Sequence, residues 1–64
     1  MKELDVVVLR SCKNGVLAGT HGTIIHKHLN GNIFAVEFCD EAGRTIAIED
    51  LSPNEVELLW EFKP

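Results

Sequence analysis

Residues 19–40, GTHGTIIHKHLNGNIFAVEFCD, decide the fold. Gly19 and Gly22 bracket a tight turn with positive φ at its ends, which delivers the chain into a strand over Thr23 to His28. Side chains alternate along a strand, so Ile24, His26 and His28 are expected on one face and Ile25 and Lys27 on the other. Leu29 to Asn32 encloses Asn30-Gly31, and an Asn-Gly pair is the strongest short hairpin signal because both residues accept positive φ. From Ile33 the alternation is clean. Phe34, Val36 and Phe38 share one face, assigned to the core, while Ala35, Glu37 and Cys39 share the other. Two strands joined by this hairpin form the centre of a small barrel.

The segments on either side supply the remaining strands. Leu4 to Arg10, LDVVVLR, favours extended structure because β-branched side chains are stiff and pack well on a pleated surface. Its apolar residues have both parities, which predicts cover on both faces. Ser11 to Gly15 reads as a loop, and Val16, Leu17 and Ala18 as a flap over one end of the barrel. Asp40-Glu41-Ala42-Gly43 suits a hairpin loop with Gly43 left-handed, returning as a strand over Arg44 to Ile48 with Ile46 and Ile48 inward. Ser52-Pro53-Asn54-Glu55 carries helix-start signals, yet Val56, Leu58, Trp60 and Phe62 alternate as in a strand. A single 3₁₀ turn followed by a final strand satisfies both patterns. The expected architecture is therefore all-β with five strands and one 3₁₀ turn, in a single domain spanning residues 1–64.

Composition excludes several functions. Sixty-four residues bury only about 60% of the unfolded chain's surface, which leaves little room for a deep substrate cavity. Ten acidic against six basic residues give a net charge of −4, so a nucleic acid is repelled at long range. Lys2, Arg10, Lys13, Lys27, Arg44 and Lys63 are scattered, with no basic-aromatic motif to read bases. The N-terminal residues lack the apolar core of a signal peptide and no run reaches membrane-spanning length, so a cytoplasmic location and no membrane partner are expected. Cys12 and Cys39 are too few for a disulfide scaffold and are expected to stay reduced.

The strand LDVVVL, the junction Gly22-Thr23-Ile24-Ile25, the strand Val36-Glu37-Phe38 and the hairpin exit Gly43-Arg44-Thr45-Ile46-Ala47 are similar to a family of short bacterial, notably cyanobacterial, proteins known only as a domain of unknown function. The resemblance covers nearly the whole chain. It implies an SH3-like barrel, more remotely similar to barrels of ribosomal and transcription-elongation modules, with no assigned catalytic residues. Some members resemble small partner proteins encoded beside another short gene, which implies an antitoxin- or immunity-type role. The continuation Trp60-Glu61-Phe62-Lys63-Pro64 and the pair His26 and His28 depart from the family pattern.

Three candidate chemistries follow. Phe34, Phe38 and the aliphatic strands already fill a core, which leaves Leu58, Trp60 and Phe62 in search of cover, either as a cap on the chain's own barrel or as anchors of an interface with a second copy or a partner protein. His26 and His28, two residues apart on a strand, can place two imidazoles on one divalent metal, with His21, Asp40 or a cysteine as a further ligand; against this, no CxxC or HExxH is present. Cys12 or Cys39 with a histidine could form a nucleophile-base pair, but no nucleophile motif accompanies them. The leading expectation is a non-enzymatic protein-interaction module without a cofactor, self-associating or binding a partner. A nucleic-acid-associated barrel and a metal-binding protein are the alternatives.

Overall fold

The computed structural model describes residues 1–64, apart from the side chain of Leu29. Five strands, β1 (Val6–Leu9), β2 (His21–His28), β3 (Ile33–Cys39), β4 (Thr45–Leu51) and β5 (Val56–Trp60), form one antiparallel sheet in the order β4-β3-β2-β1-β5. A 3₁₀ turn at Pro53–Glu55 precedes β5, as the mixed C-terminal signals predict. Glu55 Oε1 accepts hydrogen bonds from the Ser52 N–H and hydroxyl, which fixes that turn. A second short turn, Leu29–Gly31, joins β2 to β3 with Asn30 and Gly31 both at positive φ.

The core gathers Val7 and Leu9 from β1, Ile24 from β2, Phe34, Val36 and Phe38 from β3, Leu51 from β4 and Val56 from β5, with Val16 from the β1–β2 loop. The phenylalanine face is thus the inner face. On β1 the outward Val6 and Val8 are half-buried, so cover on that side is partial rather than complete. The flap resolves into a two-residue Asn14-Gly15 hairpin that pairs Lys13 with Val16. Only Val16 tucks into the core, whereas Leu17 lies exposed. From this loop Lys13 Nζ reaches Glu55 at 2.9 Å and the Asp50 carbonyl at 3.4 Å, linking the loop to the far end of β4. The accessible surface of 4189 Å² matches the roughly 4,100 Å² of a well-packed monomer of this mass.

Three bulges correct the expected alternation. On β2, Ile24 opposes Val36 and His26 opposes Ala35, so Ile25 is an extra residue. Beyond it the parity reverses: Ile24 points into the core, but His26 and His28 share the outward face of Ala35 and Ile33. On β4, Phe38 opposes Ala47 while Cys39 opposes Thr45, which leaves Ile46 extra. Ala47 and Leu51 therefore face inward, and Ile46 and Ile48, expected in the core, are exposed. On β5, Leu58 opposes Val7 and Trp60 opposes Val6, which leaves Leu59 extra. All three extra residues are large aliphatics, 40 to 53% exposed.

Gly22 also differs from expectation. It lies inside β2, buried and opposite Phe38, rather than at the end of a turn. A Cβ there would sit 2.6 Å from Val36 Cγ1 and 2.8 Å from Phe38 Cδ1, so the close approach of these two β3 side chains, not a positive φ, demands glycine. The strand consequently begins at His21. Gly43, by contrast, takes the expected left-handed conformation, with φ at 81°.

Candidate functional site

The sheet order leaves β4 and β5 at its two edges. Edge strands expose backbone donors and acceptors, and apolar side chains on such a strand add surface that favours a partner. On β5 the consecutive residues Leu58, Leu59 and Trp60 are 43, 52 and 53% exposed. Phe62 lies just past the strand, half-buried, and meets the Trp60 ring edge-on at 6.1 Å and 70°. Of the three residues expected to form a contact surface, the structure brings Trp60 and Phe62 together and sets Leu58 toward Val7. Leu59 escapes sequence reasoning because strict alternation puts it among the polar positions Glu57 and Glu61, whereas in the bulge it is the extra residue and is 52% exposed.

Trp60 also begins a row that crosses the outer face of every strand. Trp60 opposes Val6, Val6 opposes Thr23, Thr23 opposes Glu37 and Glu37 opposes Ile48. Trp60 and Ile48 at the two ends are exposed, and the three residues between them are half-buried. Glu37 accepts a short hydrogen bond from the Thr45 hydroxyl, which orients its carboxylate on this face.

A buried carboxylate holds the β5 extension in place. Asp5, fully buried, accepts the Lys2 N–H at 2.9 Å, Lys2 Nζ at 3.0 Å and the Phe62 N–H at 2.9 Å. Burial alone would raise its pKa, but the Lys2 and Phe62 hydrogen bonds outweigh it and bring the value down to about 2. Nothing in the sequence pattern marks Asp5, because an acidic residue before an apolar strand ordinarily faces water. Glu55 is lowered as well, chiefly by its hydrogen bond from Lys13.

The histidines separate into two places. His26 and His28 stack on the outer face, with ring centroids 5.6 Å apart and 26° between planes. His26 Nδ1 lies 3.8 Å from Glu3 Oε2, and His28 Nε2 lies 3.5 Å from Asp50 Oδ1. His21, at the other end of β2, lines an open groove with Cys39, Leu17, Glu41 and Ile46. Asp40, considered as a further ligand, instead pairs with Arg44 at 2.9 Å and accepts the Ala42 and Arg44 amides, closing its own hairpin loop. Cys12 and Cys39 are both free thiols. Among the described residues no three His, Cys, Asp or Glu side chains converge as a metal-holding set, and no helix is long and apolar enough to cross a membrane.

These features define a small all-β domain: one five-stranded antiparallel sheet over a single core, with an edge strand that carries exposed apolar side chains. The chain belongs to the family described as a domain of unknown function, DUF4926, whose model matches residues 3–58. No curated protein and no solved structure matches it.

Proposed function

We propose that this domain is a protein-binding module that uses β5 and the adjoining outer face to associate with a second copy or to hold a partner protein. The observation that carries the reading is the run Leu58-Leu59-Trp60 on an edge strand, three adjacent large apolar side chains each about half exposed on a domain whose core is otherwise well filled. Large apolar and aromatic side chains on an unpaired edge combine backbone pairing with anchor contacts, as in strand addition. The family match reaches Leu58, so the edge strand begins inside the family's own span and its aromatic end lies just beyond. The net charge of −4 suits a basic partner, which agrees with an antitoxin- or immunity-type role for a small acidic domain.

Sedimentation velocity across a concentration series, with Trp60 fluorescence recorded in parallel, tests the reading. Self-association predicts a concentration-dependent rise in sedimentation coefficient and a blue-shifted Trp60 emission, both lost in Trp60→Glu. A partner-binding role predicts a monomer that retains one defined protein from its native host in a manner abolished by the same substitution. A strict monomer whose retained proteins are indifferent to Trp60→Glu overturns the assignment of this surface.

A further inference from the structure

We propose that His26 and His28 chelate one divalent late transition-metal ion of the Cu²⁺, Ni²⁺ or Zn²⁺ type. The bulge at Ile25 turns both side chains outward, and the strand then spaces them two residues apart on one face. Two imidazoles bound to one ion at about 2.0–2.1 Å, with a near-tetrahedral angle between them, hold their ring centroids roughly 5 Å apart. The observed separation is 5.6 Å, so rotation of the exposed His26 ring and the half-buried His28 ring, without movement of the strand, brings a nitrogen of each to a common ion.

The flanking carboxylates favour one nitrogen of each ring as the metal donor. Glu3 lies against Nδ1 of His26 and Asp50 against Nε2 of His28. A carboxylate stabilises the tautomer with its proton on the facing nitrogen, which leaves the lone pairs on Nε2 of His26 and Nδ1 of His28. At 3.8 and 3.5 Å these are ion-pair distances longer than a hydrogen bond, so each carboxylate closes on the outer nitrogen of its imidazole only as the ring turns toward the shared ion. The nearby cation Lys27 is turned to the Met1 carbonyl at 3.3 Å. With two neutral nitrogen ligands and no third protein ligand converging, water completes the coordination sphere. Imidazole donors select late transition metals over Mg²⁺ and Ca²⁺.

Calorimetric titration of the intact chain with Zn²⁺, Ni²⁺, Cu²⁺ and Mg²⁺, paired with NMR of the histidine ring protons, tests the site. The expected result is one ion per chain for the three transition metals and none for Mg²⁺, with ring shifts confined to His26 and His28. His26→Ala and His28→Ala each remove the binding, Glu3→Gln and Asp50→Asn weaken it about tenfold, and His21→Ala leaves it unchanged. None of the altered side chains belongs to the buried core, so circular dichroism of each variant should match the parent. Absence of binding, retention of full affinity in His28→Ala, or loss in His21→Ala or Cys39→Ser overturns the proposal. None of these outcomes bears on association through β5.

Discussion

The backbone N–H of Phe62 donates to Asp5 Oδ1 at 2.9 Å, joining residues 57 positions apart across the side of the sheet. The same carboxylate receives two donors from Lys2, so a single buried side chain fastens the segment before β1 and the segment after β5 together. β5 and its aromatic extension owe their position to this clasp as much as to pairing with β1.

Asp5→Asn retains the shape but replaces a charged acceptor with a neutral amide, and charge-assisted hydrogen bonds are roughly twice as strong as neutral ones. The melting temperature should fall by several degrees, and the Phe62 amide should lose hydrogen-exchange protection before the amides of β2 and β3 do. An unchanged melt with a protected Phe62 amide would show that β1 pairing alone holds the C-terminal segment.

Asp5 also sets the response to acid. Its pKa is lowered from 3.8 to about 2, so its contribution is present in full above the unfolded value and is lost as pH falls from about 4 towards 2. Glu55, lowered by Lys13, acts in the same direction. Thermal melts between pH 6 and 2 should steepen below about pH 4, and Asp5→Asn should flatten that limb while leaving the region above pH 5 parallel to the parent.

Gly22→Ala forces a methyl group against Val36 and Phe38 at contact distances below 3 Å. Overpacking of this kind costs roughly 2 kcal/mol, to be read from the urea midpoint. Gly43→Ala meets no neighbouring atom and pays only for its left-handed backbone, about 1 kcal/mol. Phe38→Leu should partly rescue Gly22→Ala and leave Gly43→Ala unaffected, because only the former clashes with that ring.

Trp60 and Phe38 should respond in opposite ways to truncation. Phe38 is fully buried, and Phe38→Ala should cost about 3–5 kcal/mol, enough to unfold a domain of this size. Trp60 is about half exposed, so Trp60→Ser should change monomer stability by no more than about 0.5 kcal/mol, and should abolish the association proposed for β5. Equal destabilisation by both would place Trp60 in the structural core instead.

Much of this fold is legible in the sequence. The valine run, the alternating Phe34-Val36-Phe38 face, the left-handed Gly43 and the turn at Pro53 before a last strand all express local chemistry, and all are present. The orientation of Ile46, Ile48, His26 and His28 is not legible, because each depends on an extra residue that shifts parity and leaves no mark on composition. Gly22 reads as a turn glycine until its partner Phe38 is known. Leu58 and Trp60 are visible as apolar residues without cover, whereas Asp5, which anchors their neighbour Phe62, is a long-range acceptor that no local pattern reveals.

The extra residues Ile25, Ile46 and Leu59 behave like insertions within an otherwise regular ladder. Deleting Ile25 would leave Ile24 inside and both imidazoles outside, since the remaining residues already keep the correct parity. Deleting Ile46 or Leu59 would likewise spare the core while stripping the exterior of an aliphatic side chain. The scaffold thus separates two roles: the ladder determines how the chain folds, and the inserted aliphatics only add apolar surface to its outside. A shortened chain lacking all three should therefore retain the same interior while exposing less aliphatic surface.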